Sequence, residues 1–355
     1  MCRCKNSQRG DLEEILWVIA DPSWRAWIEP FLQLEGLPSV IECHSRRDAV
    51  IESCGERPGR IAVLLSDHMS VVGDADAAHG HSGIIAQSRA MAQLAHDKRG
   101  MASLFEGCAL VRPIPELDAA AAESWLRDGR CVVEKRCDGT RGQGLLIHRS
   151  IESLEAGPGD GSTILQPLLQ GLEISLPMLF AGGRCWCYPA VEKGFSSVDF
   201  VHPSQRRRDS PLSAEHAVDL SGITSEVIEV LRPLSPYGPV EVELLVANGA
   251  IHLLELNPRL AATMRMSGIA CNRSLFSDWV AASLGYPMPS GMFVDAILYT
   301  CELPLPQDCQ AHARALFACH DNLWVSGRVT ARGSTRAEAH ARAAQAISIA
   351  SNVKG

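Results

Sequence analysis

A carboxylate, a carboxamide and a guanidinium stand on alternate residues in "LLELNPRL", Leu253 to Leu260, directly after a run of aliphatics. Alternate residues of a strand share a face, so Glu255 and Asn257 point the same way. The preceding sequence supplies a partner strand. "SPYGPVEVELLVANGAIHLLELNPRL" (Ser235 to Leu260) has two apolar segments joined at Asn248-Gly249, the dipeptide of a tight hairpin turn. Across that turn Glu243 can face the same side, and two carboxylates and an amide oxygen then converge at one end of a ribbon. Hard oxygen ligands of this kind suit Mg2+, which takes one or two protein carboxylates and completes its octahedron with water and phosphate oxygens. Glu241, two residues earlier, lies on the same face and competes with Glu243 for the metal. Arg259 is placed to grip a phosphate or a substrate carboxylate. Taken alone, E-x-N-x-R also describes an edge-strand carboxylate paired with Arg259.

A second segment carries anion-binding chemistry. "CVVEKRCDGTRGQGLLIH" reads as a strand, then Lys135, then a loop with glycines at 139, 142 and 144, then another strand. Glycines let backbone N–H groups cradle an anion, and a lysine at a strand end supplies a point charge for phosphate. The spacing is not G-x-x-x-x-G-K-[ST], so this is no P-loop. By itself it is equally an ordinary hairpin.

Other elements must position these segments. "EILWVIAD" and "RIAVLLSD" are short apolar runs that end at Asp, as parallel strands buried on both faces do, and "PSWRAWIEPFLQLEGLPSVIE" between them offers a helix ending at Gly36 and a further strand. This β-α-β order lacks a G-x-G-x-x-G loop, which argues for a small doubly wound domain without a dinucleotide site. Ser82 to Gly107 turns helical, with a break near Asp97 and Lys98. Residues 130 to 190 read as short strands of one antiparallel sheet. After the hairpin come a helix from Ser274 to Leu284, a strand pair around Asp295 to Glu302, and a closing strand and alanine-rich helix with Ser334 or Thr335 as N-cap.

The chain has 355 residues, 46% of them hydrophobic, enough for two or three compact units. A formal charge of −8 without a basic block excludes nucleic acid or an anionic membrane as the default partner. The thirteen cysteines are scattered, which suits reduced thiols in the cytoplasm rather than a zinc or disulfide framework. The start lacks the apolar core of a signal peptide, and no stretch of 18 apolar residues follows. His79 and His81 have no third ligand nearby and read as a surface loop.

The two chemical segments occur in order with "LQPLLQGLEISL" between them, and together they resemble the ATP-grasp superfamily from about Ser82 to the C-terminus. The resemblance implies an α/β (α+β) fold in which a small doubly wound domain (1–95) precedes two α+β subdomains that clasp a nucleotide. On this reading the nucleotide-binding and catalytic domain spans 96–290, and a strand-helix subdomain (291–355) completes the fold. It implies ATP and Mg2+, or Mn2+ in its place. Carried over residue by residue, Lys98 and Lys135 match the lysines on the nucleotide phosphates, and Asp138 to Gly144 matches the glycine-rich loop, including Gly139, Thr140 and Gly142. Gln166 and Leu168 sit where the linker meets the adenine edge. Gln166 replaces a common acidic residue, and its amide can still accept from the adenine amino group. Glu173 matches the acidic residue near the ribose. Glu243, Glu255 and Asn257 match the metal set, and Arg259 the phosphate or acyl-phosphate contact.

The chemistry implied by the resemblance is ADP-forming carboxylate-amine ligation through an acyl phosphate, with small-molecule carboxylate and amine substrates. The sequence looks closest to the group containing tyramine-glutamate ligases of methanofuran-type cofactor synthesis, which points to glutamate, another amino acid or an amino-acid-bearing cofactor precursor. "KGFSSVDFVHPSQRRRDSPL" opens with Lys193 and carries Arg206, Arg207 and Arg208 in a loop that, by the family's layout, can overhang the site and bind a polycarboxylate. The competing readings are a solvated turn for that loop, and a kinase, a carboxylase-like enzyme or a non-catalytic nucleotide-binding scaffold for the whole chain. Homodimers are common in such enzymes.

Overall fold

A computed structural model describes residues 12–352 apart from 33, 35–36, 95, 140–143, 156–161, 197–200, 202–204, 217, 318–321 and 326. Both apolar runs ending at Asp become strands of a four-stranded parallel sheet. In it β1 (Glu14–Ile19) lies between β2 (Ser39–Cys43) and β3 (Arg60–Leu65), and β4 (Ile84–Ile85) flanks β3. Both faces of β1 are covered, as its unbroken hydrophobicity requires. Leu16 and Val18 pack against Val50 and Cys54 of the helix Arg47–Glu56, whereas Ile15, Trp17 and Ile19 join a core shared with Met264, Phe276 and Trp279. The N-terminal sheet is thereby cemented to the rest of the chain.

The helix expected after β1 is instead a series of single turns, Pro22–Trp24, Arg25–Ile28 and Glu29–Phe31. Prolines at 22 and 30 lack the N–H that a continuous helix needs. Farther on, the helices Arg89–Leu94 and Lys98–Leu104 meet at Asp97, whose carboxylate accepts the Gly100 N–H at 2.8 Å and starts the second helix.

Residues 130 to 190 divide between two sheets rather than forming one. A small antiparallel sheet holds β6 (Val132–Arg136) between β7 (Leu146–His148) and β8 (Thr163–Pro167). The strands β9 (Leu172–Ala181), β10 (Arg184–Cys187) and β11 (Val191–Phe195) belong to a ten-stranded sheet. Every residue of β9 is buried, which demands a central place with both faces covered. From one edge the large sheet runs β5 (Val111–Pro113), β14 (Ala250–Asn257), β13 (Gly238–Ala247), β9 and β11. It continues through β12 (Arg208–Ser210), β15 (Tyr299–Pro304), β17 (Arg328–Gly333) and β16 (Leu323–Val325), while β10 pairs with β9.

The hairpin β13–β14 turns at Asn248 (φ 51°) and Gly249 (φ 74°), the pair of positive φ values that a two-residue I′ turn requires. The strand pair expected near Asp295 to Glu302 is one strand, β15, whose partners β12 and β17 come from distant parts of the chain. The last helix, Arg336–Asn352, is capped by Thr335, whose hydroxyl accepts the Glu338 N–H at 3.1 Å, and it packs Ala339, Ala343, Ala346 and Ala350 beside β15 and β17. Among the described residues no helix is long and apolar enough to cross a membrane.

Candidate functional site

The hairpin register sets Glu243 opposite Glu255 and Glu241 opposite Asn257. Behind this polar end, Val242, Leu244, Leu253 and Leu256 are buried in the sheet's own core and hold the ribbon rigid. A register shift after Glu243 gives β14 an extra residue, so Leu254 joins Glu255 in lining the cleft.

The three carboxylates have different partners. Glu241 is the deepest. It accepts hydrogen bonds from Ser175 Oγ (2.6 Å) and the Thr263 hydroxyl at Oε1, and from Asn257 Nδ2 (3.1 Å) at Oε2. Burial and the neighbouring Glu243 push its carboxyl above the usual range. Glu243 is opposed by burial too, but Lys193 Nζ at 2.5 Å outweighs that and holds it below the ordinary value. Glu255 is raised by burial and by Glu243, with Lys98 Nζ 3.9 Å away. Asn257 donates to Glu241 and, at 3.5 Å, to Glu243, while its Oδ1 accepts from Arg259 Nη2 at 2.8 Å. Arg259 Nε is buried without a hydrogen-bond partner among the described residues.

The facing wall carries the lysines. Lys98, the first residue of its helix, donates to the Gly139 carbonyl. The Lys135 side chain on β6 makes no hydrogen bond or ion pair among the described residues, and burial lowers its pKa against the pull of Glu255. Asp138 is tied to Arg136 at 3.0 Å, and Gly144 has the positive φ (69°) that favours glycine. Thr140 and Gly142 lie outside the described residues. Both walls line one cleft of about 1060 Å³.

Other expected residues divide. Leu168 lines the cleft between the small and large sheets. Gln166 is buried and donates Nε2 to the Ile114 carbonyl at 3.0 Å, which leaves its oxygen as the acceptor. Glu173 pairs with Arg206 Nη1 at 2.7 Å, and Lys193 is engaged by Glu243 instead of standing free for a substrate. The three consecutive arginines part company. Arg206 goes to Glu173, Arg207 to Asp209 (2.6 Å) away from the cleft lining, and Arg208 to Glu302 (3.5 Å) in the cleft wall.

Among the described residues, no group of three His, Cys, Asp or Glu side chains is arranged to hold a metal unaided. Mg2+ does not need one. Two carboxylates, Glu243 and Glu255, with the Asn257 amide oxygen form a hard donor set that nucleotide phosphates and water would complete.

Residues 95–263 match the model of the ATP-grasp domain. The chain carries an ATP-grasp domain. No curated protein sequence matches it, but solved structures share the fold along nearly the whole chain. N5-carboxyaminoimidazole ribonucleotide synthetase from Thermotoga maritima is similar at 16% identity and a TM-score of 0.65, over 95% of this chain and 98% of that one. L-amino acid ligase from Bacillus licheniformis gives 14% and 0.69, over 94% and 97%. Carboxyaminoimidazole ribonucleotide synthase from Aspergillus clavatus, solved with ATP, gives 13% and 0.69, over 96% and 99%.

Several residues around the ATP-grasp cleft have no local signal in the sequence. Ser175 and Thr263, which hold Glu241, are single hydroxyls in apolar runs. His68, just after β3, places Nε2 3.3 Å from the Asp138 carbonyl, with its ring 4.2 Å from that of His96. Burial and the proximity of His96 lower its pKa to about 4, so at neutral pH it is uncharged and donates from Nε2.

Proposed function

We propose that this chain is an ATP-dependent carboxylate-amine ligase that releases ADP. What supports the reading is the opposition of two sets across one cleft: Glu243, Glu255 and Asn257 on the hairpin, Lys98 and Lys135 on the other wall. Oxygen ligands facing phosphate-binding cations are the geometry that a metal-bound triphosphate needs. In the reaction, a substrate carboxylate oxygen attacks the γ-phosphorus of ATP and ADP leaves. The amine nitrogen then attacks the acyl-phosphate carbon and expels phosphate. Mg2+, held by the hairpin, would screen the phosphate charge. Lys98 and Lys135 would neutralise phosphoryl oxygens, and Arg259, which lines the cleft, would donate to the transferring group. Phosphoryl transfer asks mainly for alignment and charge stabilisation, so no protein nucleophile is required.

The substrate class we infer is an amino acid, glutamate included, or an amino-acid-bearing cofactor precursor, as in the tyramine-glutamate ligases that the sequence resembles. Arg208 in the cleft wall favours an acidic group. The test is ADP release from Mg-ATP across a panel of amino acids and amines offered singly and in pairs. ADP formed only with a particular pair is the expected result. ADP formed with bicarbonate and an amine would replace the ligase by a carboxylase, and tight Mg-ATP binding without ADP from any pair would favour a scaffold.

A further inference from the structure

Glu241 and Glu243 share one face of β13, and their surroundings give them different roles. The side chains of Glu243 and Glu255 keep 18% and 23% of their surface open, whereas Glu241 is 3% exposed. Both oxygens of Glu241 are engaged inside the wall. Oε1 accepts from Ser175 Oγ, on β9, at 2.6 Å and from the hydroxyl of Thr263, on the helix Ala262–Ala270. Oε2 accepts from Asn257 Nδ2 at 3.1 Å. Glu243 and Lys193 lie close by, and the ion pair of that ammonium is with Glu243. A carboxylate has about four lone-pair sites, and three of these are taken by donors of the protein. Glu241 is thus poorly placed to bind a metal itself.

What it does hold is Asn257. A carboxamide has a donor end and an acceptor end, and only the oxygen can bind Mg2+. Asn257, itself 3% exposed, donates Nδ2 to Glu241 and, at 3.5 Å, to Glu243, while its Oδ1 accepts from Arg259 Nη2 at 2.8 Å. Turned over, the amide would set an oxygen against two carboxylates and an NH2 group against a guanidinium. Three side chains forbid that turn. On the ligase reading Glu243 and Arg259 have other duties, at the metal and at the phosphate. Glu241, pinned by Ser175 and Thr263, is the one that stays with the amide.

We propose that Glu241 is a positioning residue, which holds the Asn257 carboxamide so that its oxygen is available to a metal ion, and that Glu243 is the ligand contributed by β13. This rests on the ligase reading, which supplies the metal.

Mn2+ is titrated calorimetrically into the full chain, alone and with a non-hydrolysable ATP analogue. Glu241→Leu keeps most of the bulk and deletes the acceptors, and it should weaken Mn2+ binding roughly 10- to 100-fold, the usual loss when a group that orients a metal ligand is removed. Glu241→Gln should stay close to the wild type, because its oxygen can accept from Asn257 while its NH2 turns to the two hydroxyls. Glu243→Gln should lose far more than Glu241→Gln. The deciding comparison uses Asn257→Asp. Aspartate presents an oxygen at either end and needs no orienting, so in that background Glu241→Leu should leave Mn2+ affinity unchanged. A loss by the same factor in both backgrounds overturns the proposal, since a direct ligand or a merely structural residue would do that. So does wild-type affinity in Glu241→Leu, or a loss in Glu241→Gln equal to that in Glu243→Gln. Where Glu241→Leu does not fold, Glu241→Asp makes the same comparison, because it keeps the charge and draws the carboxylate back from Asn257 by one methylene. A wild type that takes up no Mn2+ with the analogue would sink the ligase reading and this proposal together. Uptake that is indifferent to Glu241 would sink this proposal alone.

Discussion

Replacing Glu255 by Gln removes a charge and almost no volume, so it separates metal binding from folding. In the free protein Glu255 gains little from its charge. Its nearest cation, Lys98 Nζ, is 3.9 Å away and the pair is partly exposed, a contact worth about 0–1 kcal/mol. Burial and Glu243 already oppose ionisation, so neutralising the residue also relieves repulsion. Glu255→Gln should therefore change stability by no more than about 1 kcal/mol. For 355 residues, at about 2.1 cal/mol/K of unfolding entropy per residue, that is about 1 °C in Tm. With Mg-ATP at a hundred times Kd, the wild type gains about 2.7 kcal/mol, or about 4 °C. A hundredfold loss of affinity cuts this gain to about 0.4 kcal/mol, under about 1 °C. Turnover should fall by roughly 10²–10³ as an electrostatic stabiliser of the transferring group is lost. Melting curves with and without Mg-ATP and steady-state ADP release decide the matter. A variant that keeps the wild-type Mg-ATP shift and turnover would refute Glu255 as a metal ligand.

Lys135→Ala removes a buried cation whose side chain makes no hydrogen bond or ion pair among the described residues, so the free protein should melt at or slightly above the wild-type temperature while KM for ATP rises roughly 10- to 100-fold; an unchanged KM would take Lys135 off the phosphates. Arg207 pairs with Asp209 outside the cleft lining and Arg208 lies within it, so Arg207→Ala should leave substrate KM unaltered and Arg208→Ala should raise it for an acidic substrate by roughly tenfold. Equal effects would restore the three arginines to a common role. His68 is held near a pKa of about 4 against about 6.5 in the unfolded chain, so the unfolded state binds more protons between those values. Its contribution is then complete above about pH 6.5 and lost as pH falls towards 4, by up to about 3 kcal/mol. His68→Gln keeps an N–H donor near the Asp138 carbonyl and should flatten that limb of the stability profile, which denaturant melts at stepped pH will show.

The hairpin could be read from the sequence because its determinants are local. Asn248-Gly249 fixes the turn, and the turn fixes the register that sets Glu243 across from Glu255. The break before Lys98 and the cap of the last helix were readable for the same reason, each being a side chain that bonds a backbone N–H three residues on. The division of strands between two sheets was not, because the pattern of β9 says that it is buried and not which strands it pairs with. The fate of the arginines was hidden still further. Three consecutive residues in a loop look alike until β12 pairs with β15, and only then does Arg208 meet Glu302, 94 positions away. Arg265 and Arg328 reach the same carboxylate from a helix and from β17, so no window of the sequence contains the cluster. The carboxylate end of the cleft, built on one hairpin, follows from pattern, whereas the arginine cluster around Glu302, built from three elements, exists only once the large sheet has formed.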